Sequence, residues 1–183
     1  MHRNDYRKRG AVESVDAELM RRALRRFASG VTVVTAEHDG EQFGITVTAF
    51  ASISLAPPIV MVSINNESPL GEAIVASEHF AVHILGDAQQ PLAERFARPV
   101  PMVEKYSDVP WIYALSGAPI ISDTLASLDC VLGQTIAIGS HTVMFGRVVD
   151  ARSSEDATGP LLYYNRNYHR IDPSAEAPDP GRE

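Results

Sequence analysis

The feature that most constrains the fold is a change in residue period at Gly30. Before it, apolar residues recur every three or four positions, which is typical of an amphipathic helix. After it, apolar residues alternate with polar ones and β-branched residues dominate, which is typical of strands. The pattern predicts six strands, at residues 31–35, 45–48, 59–64, 80–85, 131–137 and 142–149.

Short helices are expected to connect or precede these strands. The first follows Asp16 as a cap, the second begins at Ser68 with Pro69 in its first position, and the third lies near 89–96. The turn sequence at 38–41 predicts a hairpin between the first two strands. Many short strands with few helices favour a mainly β, closed or nearly closed antiparallel barrel, because closure removes unpaired edges. A doubly wound sheet is not expected.

Length and composition indicate one domain with tails. The 183 residues are 45% hydrophobic, enough for a single core, and we predict a domain over 16–172 between a disordered basic tail (1–15) and a disordered acidic, Pro-rich tail (173–183). No apolar run approaches the roughly 20 residues of a membrane span, and no secretion signal is evident. We therefore expect a cytoplasmic protein without a membrane partner.

Charge is distributed unevenly along the chain. Residues 1–26 carry a net charge of +4, whereas the remainder carries −11, so no nucleic-acid partner is expected. No Lys or Arg occurs between Arg26 and Arg95. Any anion bound by that segment must be held mainly by neutral donors.

The segment 44–54 alternates apolar residues at odd positions with hydroxyl residues at most even positions, interrupted by Phe50. Two interpretations remain open at this point. The hydroxyls either form the solvent side of a strand or form a row of donors for an anionic ligand. Asn65, Asn66 and Ser68 lead into the next helix, whose N-terminal backbone donors favour a phosphate.

Six segments together resemble the short-chain flavin reductases, in the same order along the chain: 28–35, 44–65, 79–97, 105–130, 139–151 and 160–171. The resemblance implies an FMN-binding split barrel with antiparallel Greek-key strands. It also implies an NAD(P)H:flavin oxidoreductase that supplies reduced FMN or FAD to the oxygenase component of a two-component monooxygenase. Such proteins are usually homodimers with the flavin near the subunit interface.

The resemblance also implies a set of site residues. His141 would act as the catalytic contact to the nicotinamide of NADH or NADPH, and Tyr168 would close that site. Two family patterns are altered: 46–52 has one Thr and two Ala where Asn, Ser and Thr are frequent, and Gly-Asp-His stands as Gly-Ser-His at 139–141. The expected flavin contacts are Thr46, Val47, Thr48, Ala49, Ser52, Ser63, Asn65, Asn66, Ser68 and Phe96.

Other chemistries are less favoured. His79 and His83 are four residues apart on a predicted strand, which separates them too far for a metal site. No Gly-x-Gly-x-x-Gly motif is present, so a nicotinamide nucleotide would not bind in the Rossmann manner. Cys130 is interpreted as a buried small hydrophobe. Two alternatives to a reductase remain: a flavin-storage barrel, and a related flavin-dependent oxidase, which would need a cationic phosphate clamp.

Overall fold

The structure is a computed structural model that describes residues 13–155 and 159–171. The predictions for residues 1–12 and 172–183 lie outside the described residues, and the domain bounds stay a prediction. The helices are α1 (Ala17–Leu24), α2 (Pro69–Ser77), α3 (Gln90–Ala97) and α4 (Met102–Tyr106). The strands are β1 (Ser29–Gly30), β2 (Thr32–His38), β3 (Glu41–Val47), β4 (Phe50–Leu55), β5 (Pro58–Asn65), β6 (His79–Ile84), β7 (Trp111–Tyr113), β8 (Pro119–Ile121), β9 (Ala126–Ile138), β10 (His141–Ser153), β11 (Leu162–Tyr164) and β12 (Asn167–His169).

Seven strands form one antiparallel sheet in the order β3-β2-β6-β9-β10-β5-β4. The two edge strands, β3 and β4, are joined by only Thr48 and Ala49. The sheet must therefore curl until its edges meet at this connection. The predicted fold class, a mainly β antiparallel split barrel with short connecting helices, is confirmed.

The curled sheet has a core on each side of β2. Inside it, Val34 and Ala36 pack with Val62, Ile64 and other apolar side chains. On the opposite side, Val31 and Val33 pack with Phe96 of α3 and Leu161. β2 is buried on both faces, which explains why five consecutive residues from its start are inaccessible to solvent.

The predicted hairpin and the first three predicted helices are present. Asp39 and Gly40 both have positive φ in the turn between β2 and β3, the conformation that this hairpin needs. Asp16 caps α1, and its carboxylate accepts a hydrogen bond of 2.7 Å from the Leu19 amide. None of the residues of α1 is buried, so its apolar side is open in the single chain.

Several elements were not predicted. β1, β7, β8, β11, β12 and α4 are two to five residues long, too short to show a period. β4 was not predicted either, because the alternation along 44–54 does not show where β3 ends and a second strand begins. None of the helices formed by the described residues is long and apolar enough to cross a membrane.

Candidate functional site

The predicted row of hydroxyls along 44–54 is divided by the fold, which corrects the expectation of a single face. On β3, Thr46 lies opposite Val33, away from the barrel interior, and its hydroxyl donates a 2.7 Å hydrogen bond to the carbonyl of Ala93. This hydroxyl attaches α3 to the sheet. It is not free for a ligand in this structure.

The alternation changes phase at the connection between β3 and β4. Val47 packs against the interior core, and three positions later Phe50 packs against the same core. Ser52 lies opposite Val60 and is exposed, and a bulge follows between Ser52 and Ser54. Phe50, the residue that interrupted the sequence pattern, marks this phase change. Thr46 and Ser52 therefore belong to different surfaces.

A second group of predicted residues is brought together at the end of β5. Ser63 and Asn65 alternate with the buried Val62 and Ile64, so they face outward. The Ser63 amide donates a 3.1 Å hydrogen bond to the carbonyl of Ala49. This bond joins the β3–β4 connection to the β5 residues. We call Ala49, Ser63 and Asn65 the outer groove.

His141 lies beside the outer groove. It is the first residue of β10 and stands opposite Asn65 in the strand register. Its Nδ1 is 2.9 Å from the Ser140 hydroxyl. The backbone amide of Asn66 donates a 3.0 Å hydrogen bond to the Ser140 carbonyl. The imidazole is exposed. The hydroxyl contact orients an accessible ring next to the groove.

A cavity of about 420 Å³ continues from this end of β5 to α2. Thr142 donates a 2.8 Å hydrogen bond to the side-chain oxygen of Asn66 in its wall. The Ser68 hydroxyl oxygen is buried but has no hydrogen-bond partner, although Ser68 is the N-cap residue of α2. We call this space the serine cavity; it is lined by Ile64, Asn65, Asn66, Ser68, Gly71, Glu72, Val75, Ala76, Thr142 and Met144.

A second cavity, of about 470 Å³, lies on the other side of the β3–β4 connection. Thr48 and Ala49 form part of its wall, and the remainder comes from α1 and the residues that follow it up to Ser29, and from β11 and the turn between β11 and β12. We call it the arginine cavity; its lining residues are Arg21, Leu24, Arg25, Phe27, Ser29, Thr48, Ala49, Tyr163, Asn165 and Arg166.

Phe96 does not reach either cavity. Its ring has no exposed surface and packs edge-on against Tyr106, with centroids 5.2 Å apart. A Cβ atom at Gly44 would lie 2.5 Å from this ring, so the glycine permits the close packing. In this conformation a bound flavin would find no surface of the Phe96 ring. The structure gives Phe96 a packing position instead of the expected contact.

Tyr168 lies on β12 and packs edge-on against Tyr163, with ring centroids 5.3 Å apart. Burial, with smaller contributions from Glu94 and Tyr163, raises the pKa of its phenol. The phenol is therefore a hydrogen-bond donor at neutral pH. Tyr163 itself lines the arginine cavity, which places Tyr168 one residue behind that wall.

Three buried polar groups were not predicted as important. His83 Nε2 lies 3.0 Å from the Thr35 hydroxyl, which donates to the Pro119 carbonyl, and burial lowers the pKa of His83 to about 3. Lys105 donates to the carbonyls of Gly44 and Phe96 at 3.2 and 3.0 Å, and burial lowers its pKa. The Asp129 carboxylate accepts hydrogen bonds from the amide and hydroxyl of Ser116. Their partners are distant in sequence, so no local signal marks them.

These groups connect separate parts of the fold. His79 and His83 lie on β6 as predicted, and the described residues contain no cluster of three or more His, Cys, Asp or Glu side chains suited to a metal ion. Cys130 is fully buried, and burial with a smaller effect of Asp129 raises its pKa to about 12. The predicted role of Cys130 as a small hydrophobe is confirmed. The rings of Tyr106, Trp111 and Tyr113 pack edge-on in succession.

Comparison with known proteins identifies relatives of the whole folded region. Residues 24–172 match the family described as flavin reductase like domain. An NADH:FMN oxidoreductase of Rhodococcus qingshengii is 38% identical over 157 residues, covering 84% of this chain and 81% of the relative. The reductase subunit of a flavin-dependent monooxygenase of Rhodococcus jostii is 34% identical over 173 residues, covering 94% and 87%.

A solved structure is similar over the same region. The NADH:FAD oxidoreductase of Streptomyces globisporus, in complex with NAD and FAD fragments, superposes with a TM-score of 0.81 at 31% identity. The match covers 90% of this chain and 100% of that one. The likeness therefore extends across the barrel and its connecting helices.

Proposed function

Because this chain belongs to the flavin reductase like domain family, we propose that it transfers a hydride from NADH or NADPH to FMN or FAD. The reduced flavin is supplied to the oxygenase component of a two-component monooxygenase. The observation that carries this proposal is the family match over 24–172, together with relatives named as an NADH:FMN oxidoreductase and a monooxygenase reductase subunit.

The flavin ring lies along the outer groove, against Ala49, Ser63 and Asn65. Ala49 and Asn65 are exposed and Ser63 is half-buried at the point where the sheet edges meet, although the Ser63 amide is already bonded to the Ala49 carbonyl. Val47 and Thr48 precede this point, and Ser52 follows it on the exposed part of β4. With few side-chain donors here, backbone groups carry most of the ring contacts. That arrangement suits a flavin that exchanges between enzymes.

The flavin phosphate lies in the serine cavity. The fit rests on the buried Ser68 hydroxyl, which has no partner within the described residues and can donate to a phosphate oxygen. The side-chain amide of Asn66 adds a neutral donor. No Lys or Arg lines this cavity. The lack of a cationic clamp favours a reductase over the oxidase alternative.

The chain's contribution to the reaction is binding and alignment. A bound flavin supplies the hydride acceptor, so the redox chemistry belongs to the flavin and the nicotinamide. The exposed His141 imidazole, oriented by Ser140, contacts the nicotinamide and holds it over the groove. No general acid or base is required of this histidine. Tyr168 supports the neighbouring wall through Tyr163.

Two copies of the chain form the working enzyme. Ile136 and Ile138 of β9 are 40% and 62% exposed and lie opposite Val143 and His141 of β10. Opposed residues share a face of the sheet, so an exposed apolar surface lies directly beside His141. A second copy covering this surface would also exclude water from the site. Sedimentation equilibrium should give twice the chain mass of 19.9 kDa.

Anaerobic stopped-flow mixing tests the proposed activity. Purified protein with FMN or FAD should lose flavin absorbance on addition of NADH or NADPH, and one combination should dominate. Flavin binding without reduction by either nicotinamide would contradict the proposal and favour a storage barrel. Reoxidation coupled to turnover of an organic substrate by this chain alone would favour the oxidase.

A further inference from the structure

The arginine cavity carries positive charge that flavin reduction at the outer groove does not use. Its lining contains Arg21 of α1, Arg25 directly after α1 and Arg166 of the turn between β11 and β12, with no carboxylate. Glu18 pairs with Arg21 at 2.9 Å and with Arg25 at 3.5 Å. No carboxylate among the described residues forms an ion pair with Arg166. Three arginines therefore line one cavity, and within the described part of the chain a single carboxylate, that of Glu18, pairs with two of them.

Arg166 stands in a conformation that favours glycine. Tyr164 and Asn167 are paired, so Asn165 and Arg166 form a two-residue hairpin loop, with φ of +48° and +69°. Asn-Gly is the preferred sequence for such a loop, and a long side chain at the second position is strained. A strained arginine at the mouth of a cavity points to a ligand that uses its guanidinium.

The same cavity offers apolar and aromatic surface. Phe27 is 72% exposed and Leu24 is 55% exposed, and the Tyr163 ring forms part of the opposite wall. Planar rings stack favourably on such side chains, whereas guanidinium groups bind phosphate oxygens in pairs. A ligand that combines a planar base with phosphate matches both features.

The arginine cavity adjoins the outer groove at Ala49. Ala49 lines the cavity, and its carbonyl accepts the hydrogen bond from the Ser63 amide of the groove. A molecule with its reactive ring in the groove can extend past Ala49 toward the arginines. The serine cavity lies beyond Asn65, at the other end of the groove.

We propose that the arginine cavity binds the adenylate moiety of a dinucleotide, with phosphate against Arg25 and Arg166 and adenine beside Phe27. The inference rests on the proposed function and adds the part of the substrate that sets dinucleotide preference. FAD and the nicotinamide dinucleotides both carry this moiety. FMN and dihydronicotinamide mononucleotide lack it, which allows the two sources to be distinguished.

The test uses Arg166→Gly and Arg25→Gln in the full chain, with Arg22→Gln as control. Glycine accommodates the φ of residue 166, so Arg166→Gly should fold and melt no lower than the parent. Arg22 lies on the same helix but does not line the cavity. Loss of one guanidinium–phosphate contact should weaken binding by about 10-fold or more.

Two arms identify the source of the adenylate. If it belongs to the hydride donor, kcat/KM for NADH falls about 10-fold in both variants, while the value for dihydronicotinamide mononucleotide stays at the parental level. If it belongs to the flavin, the Kd of FAD rises by a similar factor, while that of FMN does not change. Free AMP should inhibit the parent competitively, and should inhibit Arg166→Gly more weakly.

The inference is overturned if neither dinucleotide is affected, or if the mononucleotides are affected equally. It is also overturned if Arg22→Gln has the same effect as the cavity variants, since the cause would then be general charge. A parent that binds AMP by titration calorimetry but reduces no flavin would contradict the proposed function alone. A parent protein that reduces FMN, but prefers neither dinucleotide to the mononucleotide that lacks adenylate, would contradict this inference alone.

Discussion

The same residue types have different roles in two regions of this barrel. Around β2, the Thr46 hydroxyl donates to Ala93 and His83 Nε2 is bonded to Thr35, while His83 Nδ1 is buried without a partner among the described residues. At the end of β5, the Ser68 hydroxyl has no partner, and His141 is exposed beside a groove. The comparison teaches that composition does not separate a structural hydroxyl or imidazole from a binding one. For the two hydroxyls, the difference lies in whether the protein already supplies the partner, as it does for Thr46 but not for Ser68; for the two imidazoles, it lies in burial.

The largest expected effect is the acid sensitivity of the β2 region. His83 is buried with its pKa lowered to about 3, against 6.5 for the unfolded chain. Between these values the unfolded state binds a proton that the folded state does not, so this histidine lowers stability as pH falls from 6.5 toward 3. The contribution approaches about 1.4 kcal/mol per pH unit within that window. Urea unfolding at a series of pH values measures it.

His83→Gln supplies the control for this dependence. The glutamine does not titrate, so the slope of unfolding free energy against pH should be shallower than in the parent by about one proton. A parallel His141→Gln variant, at an exposed site, controls for the substitution itself. Equal slopes for the parent and His83→Gln would show that His83 remains accessible to protons in the folded protein.

The next prediction concerns His141, in the region at the end of β5. His141→Ala should lower kcat/KM for the nicotinamide by about 10-fold or more, because loss of alignment acts on the reacting complex. Flavin affinity and melting temperature should be close to those of the parent, since the imidazole is exposed. Steady-state kinetics with a flavin titration separates the two quantities. An unchanged kcat/KM would show that His141 is a surface residue that does not align the nicotinamide.

A matched pair of hydroxyl removals tests the two regions directly. Ser68→Ala should weaken FMN binding by about 1.5–3 kcal/mol, the usual value for a hydrogen bond to a charged group, without loss of stability, because its hydroxyl has no protein partner. Thr46→Val should cost about 1 kcal/mol of stability and leave FMN affinity unchanged, because its hydroxyl is bonded to Ala93. Flavin fluorescence quenching and thermal melting measure the two quantities. If Thr46→Val weakened FMN binding and Ser68→Ala lowered the melting temperature, the comparison between the two regions would be wrong.

The sequence could group candidate-site residues only where they lie in short local segments. Asn65, Asn66 and Ser68 stand together between a strand and a helix start, and the structure places all three around one cavity. The position of Thr48 and Ala49 between two strands follows from Phe50, which packs on the same core as Val47 although the two residues are three positions apart. Phe96 was misplaced because a buried aromatic residue and a ligand contact look alike in an amphipathic helix.

The sequence by itself determined the mainly β class, the major strands, the first three helices and the hairpin, because these depend on period, caps and turn residues close together in the chain. The tertiary structure alone decided which hydroxyls have partners, since those partners lie up to 84 residues away, as with Thr35 and Pro119. It alone brought Arg21 and Arg25 near Arg166, from opposite ends of the described chain. The physical reason is that hydrogen bonding and charge act through space, whereas a sequence pattern reports only neighbours along the chain.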